Sequence, residues 1–97
     1  MNKQICDAIT MKRVLRIFYE GGFREIEPFC YGLGTSGNEL LRAYQIGGHS
    51  NSGNPFGWKL FVVDKITSLT ITNQEHTGAR HDYEPRDHAM ATVYCSI

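Results

Sequence analysis

The chain has no long hydrophobic run, little proline, few cysteines and no excess of charge of either sign. No stretch approaches the roughly 18 consecutive apolar residues of a membrane span. Asp7 and Lys12 interrupt Ile5 to Met11, so no signal-peptide core is expected there and no membrane partner is implied. Ten basic residues balance ten acidic ones, which removes the long-range field that draws proteins on to duplex DNA, so any anion site must be local. The three cysteines, Cys6, Cys30 and Cys95, are odd in number and widely spaced. That argues against a disulfide framework and fits buried free thiols in a reducing, cytoplasmic compartment. His76, His81 and His88 do not share a helix face, and no CxxC or HExxH pairing occurs, so no metal site is expected. No nucleophile or acid–base motif stands out. The chain therefore reads as a non-enzyme without a cofactor, a metal-dependent nuclease or hydrolase being the lesser alternative.

What is present is the composition of an ordinary globular domain. Of 97 residues, 41% are apolar and 21% charged, enough for a single hydrophobic core and too few residues for two. Asn2 is a good helix cap, and Ile5, Ala8 and Ile9 recur at helical spacing, which predicts a short helix lying across one opening of the β structure, with Lys12 and Arg13 at its end. The period then changes to two. Val14 to Tyr19 and Phe23 to Pro28 read as a hairpin about Glu20-Gly21-Gly22. A glycine-rich turn region, Gly32 to Asn38, leads to a third strand, Glu39 to Ile46. The segment from Gly47 to Gly57 is polar and rich in glycine, longer than most hairpin loops, and is either mobile or functional. Trp58 to Val63 and Ser68 to Thr72 form strands four and five about an Asp64-Lys65 turn. Asn73 to Asp87 reads as a loop before a sixth strand in which Ala91, Val93, Cys95 and Ile97 alternate with their neighbours; a helix capped by Asp87 is the competing reading.

With the elements in this order, the residues resemble a WYL domain over about residues 5 to 72. The resemblance is carried by Ile5, Ala8 and Ile9 in the helix, Tyr19, Arg24, Glu27 and Pro28 on the first hairpin, Leu41-Arg42-Ala43-Tyr44, and Phe61-Val62-Val63-Asp64-Lys65-Ile66 with Leu69. Glu39 and Leu40 stand where that family has Trp and Tyr, and Lys59 stands where it has Arg. The resemblance implies a mainly β fold: a short N-terminal helix and a small SH3-like (Sm-like) antiparallel barrel of five to six strands, in one domain spanning residues 1–97, with 73–97 as an extension. It further implies a module for nucleotides or short nucleic acid in bacterial or phage-encoded regulation and defence, acting as a sensor or sponge.

The strand phases suggest where such a ligand would sit. Arg24 shares its phase with Ile26, Gln45 with Leu41 and Ala43, and Lys59 with Phe61 and Val63, so three polar side chains end core-facing rows and form a rim. Arg24 offers a fork to phosphate, Lys59 a point charge, and Gln45 a donor and an acceptor. The competing reading pairs Arg24 and Lys59 with Glu27 or Asp64. Tyr19 and Tyr44 are candidates for stacking on a base or for core packing. Arg42, Trp58 and the loop residues His49, Ser50 and Ser52 complete the candidate ligand set. The alternative function is a protein-interaction or homo-oligomerising module that pairs exposed strand edges or exchanges its last strand.

Overall fold

In the computed structural model, which describes all 97 residues, helix α1 (Lys3–Met11) begins where Asn2 Oδ1 accepts a hydrogen bond from Ile5 N at 3.2 Å. It ends at Lys12, whose left-handed conformation turns the chain into strand β1 (Arg13–Tyr19). Ile5, Ala8 and Ile9 are all buried, so the predicted apolar face is the one that packs. A two-residue turn joins β1 to β2 (Gly22–Gly34). Both its central residues, Glu20 and Gly21, have positive φ, as the primed hairpin turns require. Strands β3 (Glu39–Gly48), β4 (Gly57–Val62), β5 (Ile66–Glu75) and β6 (Met90–Ser96) complete the chain, with a 3-10 turn at Val63–Lys65 between β4 and β5.

The six strands form one antiparallel sheet in the order β4-β3-β2-β1-β5, and β6 joins β2 off that path. The chain is thus mainly β with a single short helix, as expected. No ladder joins β4 to β5, so the sheet stays open where a closed barrel was expected. The 3-10 turn provides the passage between those two strands in place of a hydrogen-bonded seam.

Strand β2 runs well past Pro28, because a bulge there lets it bend and continue. Pro28 sits opposite Ala43 and Cys30 opposite Arg42, leaving Phe29 as the extra residue. Pro28 has no N–H to give to a ladder, which makes it a natural place for this break. The N-terminal half of β2 pairs with β1 on one edge, its C-terminal half with β6 on that same edge, and β3 covers the other edge throughout. Gly32, read from sequence as the start of a turn, lies inside the strand. A Cβ there would stand 2.1 Å from Thr92 O on β6, so glycine permits the close approach.

The main core lies between α1 and one face of the sheet, with Leu15, Ile17, Ile26, Tyr31, Leu41, Ala43 and Phe61 around the helix residues. The opposite face carries a second, aromatic cluster. There Phe29 packs against Trp58, His76 and Tyr83 at ring separations of 4.9, 5.6 and 4.9 Å. Of the loop expected over Asn73 to Asp87, residues 73–75 extend β5, and the segment 76–89 runs across this face as a strap.

The three cysteines are not all free. Cys6 on α1 and Cys95 on β6, 89 positions apart in sequence, form a disulfide with Cα atoms 5.7 Å apart, and Cys30 alone is a buried thiol. Odd number and wide spacing could not reveal this pairing, because folding brings the first and last elements together. The sequence argument for a reducing compartment, which rested on free thiols, falls with it. Cross-linking a loop this long removes much of the unfolded chain's freedom, and such bridges typically stabilise by about 2–4 kcal/mol. A Cys95→Ser variant is expected to lose about that much in urea unfolding, and thiol titration of the unreduced, denatured wild type is expected to count one free thiol.

Candidate functional site

The predicted ligand residues fall on both faces of the sheet. Tyr19, Arg24, Ser50, Ser52 and Lys59 line one open pocket of about 230 Å³, together with Glu20, Asn51, Leu60 and Phe61. Strand phase brings them together: Arg24 on β2 and Lys59 on β4 both project on the core side, near the strand ends that meet the loop 49–56.

Arg24 is only 5% exposed, yet no carboxylate lies within ion-pair distance of it. Its Nε donates to Tyr19 O at 3.3 Å, and its guanidinium carbon lies 5.2 and 5.7 Å from the ring centres of Tyr19 and Phe61. Neither suspected partner is used: Glu27 pairs with Arg80 instead, and Asp64 is not within reach. Tyr19 is itself buried, and its hydroxyl accepts from Val62 N, so it serves as a core residue whose ring also walls the pocket. Lys59 Nζ donates to Asn54 O at 2.9 Å and Ser52 Oγ at 3.4 Å, tethering the loop.

Gln45 is fully buried and anchors the base of that loop. Its Nε2 donates to Gly47 O at 3.0 Å and His49 O at 2.8 Å, while Oε1 has no donor. His49 packs against the first hairpin turn, where a Cβ on Gly22 would come within 2.3 Å of its own Cβ, and its Nε2 bonds Asn51 Oδ1 at 2.8 Å. Asn51 Nδ2 in turn donates to Glu20 O. The glycine-rich loop is therefore held to the β1–β2 turn, and the two together frame the Arg24 pocket.

Arg42, Tyr44 and Trp58 lie on the other face, under the strap. Tyr44 and Trp58 are cross-strand partners whose rings meet edge to face, 5.4 Å apart. Two bidentate pairs fasten the strap. Arg80 donates from Nε and Nη2 to Glu27 at 2.9 and 3.1 Å with its guanidinium 3.8 Å from the Tyr44 ring centre, and Arg42 on β3 donates to Asp87 at 2.7 and 3.2 Å. These partners are 53 and 45 positions apart in sequence, and nothing local marks them. The alternation of β3 and β4, however, already separates Arg42, Tyr44 and Trp58 from Gln45 and Lys59.

Charge and burial set the behaviour of the strap. The Arg42 guanidinium holds the Asp87 carboxyl below its usual range, burial opposing it. Burial drives the His76 imidazole below its ordinary value, with Glu27 pulling the other way and Arg80 and Lys12 reinforcing the shift. Burial also pushes the Tyr83 hydroxyl up to about 12 and raises the Cys30 thiol. No group of three or more His, Cys, Asp or Glu is placed to hold a metal ion.

Fold and pocket together define a small, mainly β protein with an open sheet and a buried, unpaired arginine at a loop-framed pocket. Set against protein-family models, curated proteins and solved structures, the chain matches none of them.

Because His76 is held neutral in the fold, an unfolded chain takes up a proton below pH about 6.5 that the native state refuses, so stability falls as the pH drops from there. The Asp87 contribution is present above 3.8 and is lost as pH falls through its lower folded value. A His76→Gln variant is expected to show a smaller difference in urea midpoint between pH 7.5 and 5.5 than the wild type. An Arg80→Ala variant is expected to lose about 1–3 kcal/mol at neutral pH, between the worth of exposed and buried ion pairs, and to release the strap to limited proteolysis between residues 76 and 89.

Proposed function

We propose that this protein is a non-catalytic module binding a compact, phosphate-bearing anion of nucleotide type in the Arg24 pocket. The observation that carries the reading is the 95% burial of an arginine with no carboxylate partner. A guanidinium taken out of water without a counter-charge costs several kcal/mol. An anion entering the pocket supplies that counter-charge, and Arg24 can grip it through the nitrogens that Tyr19 O does not occupy.

The surroundings suit such a guest. Lys59 is held by two uncharged oxygens, and a phosphate oxygen would bind it more strongly than Ser52 Oγ or Asn54 O does. Ser50 and Ser52 add hydroxyls at the pocket wall, and Tyr19 and Phe61 give it apolar surface. Glu20 is the one opposing charge, and its carboxylate leans toward Lys65 at 3.8 Å. The open volume of about 230 Å³ suits a phosphate with one attached group better than a long duplex, in line with the zero net charge. The resemblance to WYL domains favours a nucleotide, and with it a role as a ligand sensor or sponge in bacterial or phage regulation.

Calorimetric titration with adenosine monophosphate, inorganic phosphate and uncharged adenosine tests the reading. Adenosine monophosphate is expected to bind and adenosine to bind at least ~10-fold more weakly, since a charge-assisted contact is worth about 1.5–3 kcal/mol. Arg24→Ala is expected to weaken phosphate-bearing ligands by about 10- to 100-fold, and Lys59→Ala by less. Unchanged affinity in a folded Arg24→Ala protein would remove this pocket as the site.

A further inference from the structure

On the opposite face, a pocket of about 350 Å³ opens between the strap and the sheet. This volume lies in the usual range for small-molecule sites, roughly 300–1,000 Å³. One wall is the stacked pair of Trp58 and Tyr83, with ring centres 5.6 Å apart and planes inclined by 24°. Arg42 and Asp87 also line it, and Glu84 and Arg86 stand at its exposed rim.

The two arginines are in different states. Arg42 meets Asp87 side-on, through Nε and Nη2, which fixes the plane of its guanidinium. The other edge of the fork, carrying Nη1 and the second Nη2 hydrogen, makes no hydrogen bond within the protein. Asp87 is fully engaged, since Oδ1 also accepts from Ala89 N. Arg86 has no ion-pair partner; the nearby Glu84 carboxylate accepts from the Arg86 backbone N–H. The pocket thus combines an oriented guanidinium edge and one free cation with two aromatic surfaces. Trp58 Nε1 and Tyr83 Oη, sealed from solvent, also find no partner within the protein.

We propose that this pocket is a second binding site, for a planar aromatic monocarboxylate. The carboxylate would lie on the free edge of Arg42 and within reach of Arg86, and the ring against Trp58 and Tyr83. A planar carboxylate is the group whose geometry matches an arginine fork in two parallel hydrogen bonds, and the aromatic wall favours a ring over an aliphatic chain. Lining charge sets the valence: with the lining His88 counted as neutral, two cations, Arg42 and Arg86, face two anions, Asp87 and Glu84, so a polyanion gains nothing here that a single negative charge does not. The site is independent of the Arg24 pocket, because neighbouring residues Trp58 and Lys59 project to opposite faces of β4.

Trp58 is the chain's one tryptophan, so its indole N–H gives a single, assigned-by-composition NMR signal at the pocket wall. Titration with 2-naphthoate is expected to move that signal saturably, with 2-naphthamide at least tenfold weaker and acetate without effect. Saturating inorganic phosphate is expected to leave the naphthoate response unchanged, which separates this site from the Arg24 pocket. Arg86→Gln is expected to weaken naphthoate several-fold while the amide is unaffected. Arg42→Lys, which keeps the charge and loses the fork, is expected to weaken it further; Arg86→Gln carries the test if that variant does not fold. No saturable shift, equal affinity for acid and amide, or an Arg86→Gln protein that binds naphthoate as the wild type does would each overturn the proposal.

Discussion

At Pro28 the longest strand of the molecule gives up a backbone donor, and the bulge beside it sets the placement of nearly everything else. Because Phe29 is an extra residue, Phe29 and Cys30 both face the strap, and Tyr31 returns to the core phase opposite Leu41. Without the bulge, the phase of β2 would reverse beyond Pro28, sending Tyr31 to the outer face. The bend also shares one edge of β2 between two strands: β1 takes the part before Pro28 and β6 the part after it. Both faces of the sheet are therefore occupied. One holds the helix and the aliphatic core, the other the aromatic cluster and its strap.

Much of this was legible in the residues. The helix face, the first hairpin, the strand alternation of β3 and β4 and the sixth strand come from local periodicity and turn chemistry, which act over a few residues. The length of β2 was not legible. Gly32 looks like a turn former until a neighbouring strand is known to press against it, and that neighbour, β6, lies some 60 residues on. Likewise, the open seam between β4 and β5 is a matter of how far the sheet curls, which strand periodicity does not encode.

The site divides along the same line. That Arg24, Gln45 and Lys59 share the core side is a local property of alternation, and the structure places Arg24 and Lys59 in one pocket with Gln45 securing the loop beside it. The pairs Arg80–Glu27 and Arg42–Asp87 are long-range, and so is the disulfide; each joins residues that the chain itself keeps far apart. The strap is anchored by charge and cushioned by aromatic rings, so the polar composition of residues 73–87, which reads as a loop, conceals two residues, Arg80 and Asp87, whose charges are spent on the sheet.

The Cys6–Cys95 bridge has a mechanical meaning as well. The residues from Cys6 to Cys95 form a covalent ring closed by sulfur. Tension applied between helix α1 and strand β6 would pass through the bond and bypass the hydrogen-bonded sheet. Opened by reduction, the same molecule would transmit that load to the packing of α1 and to the ladder between β6 and β2.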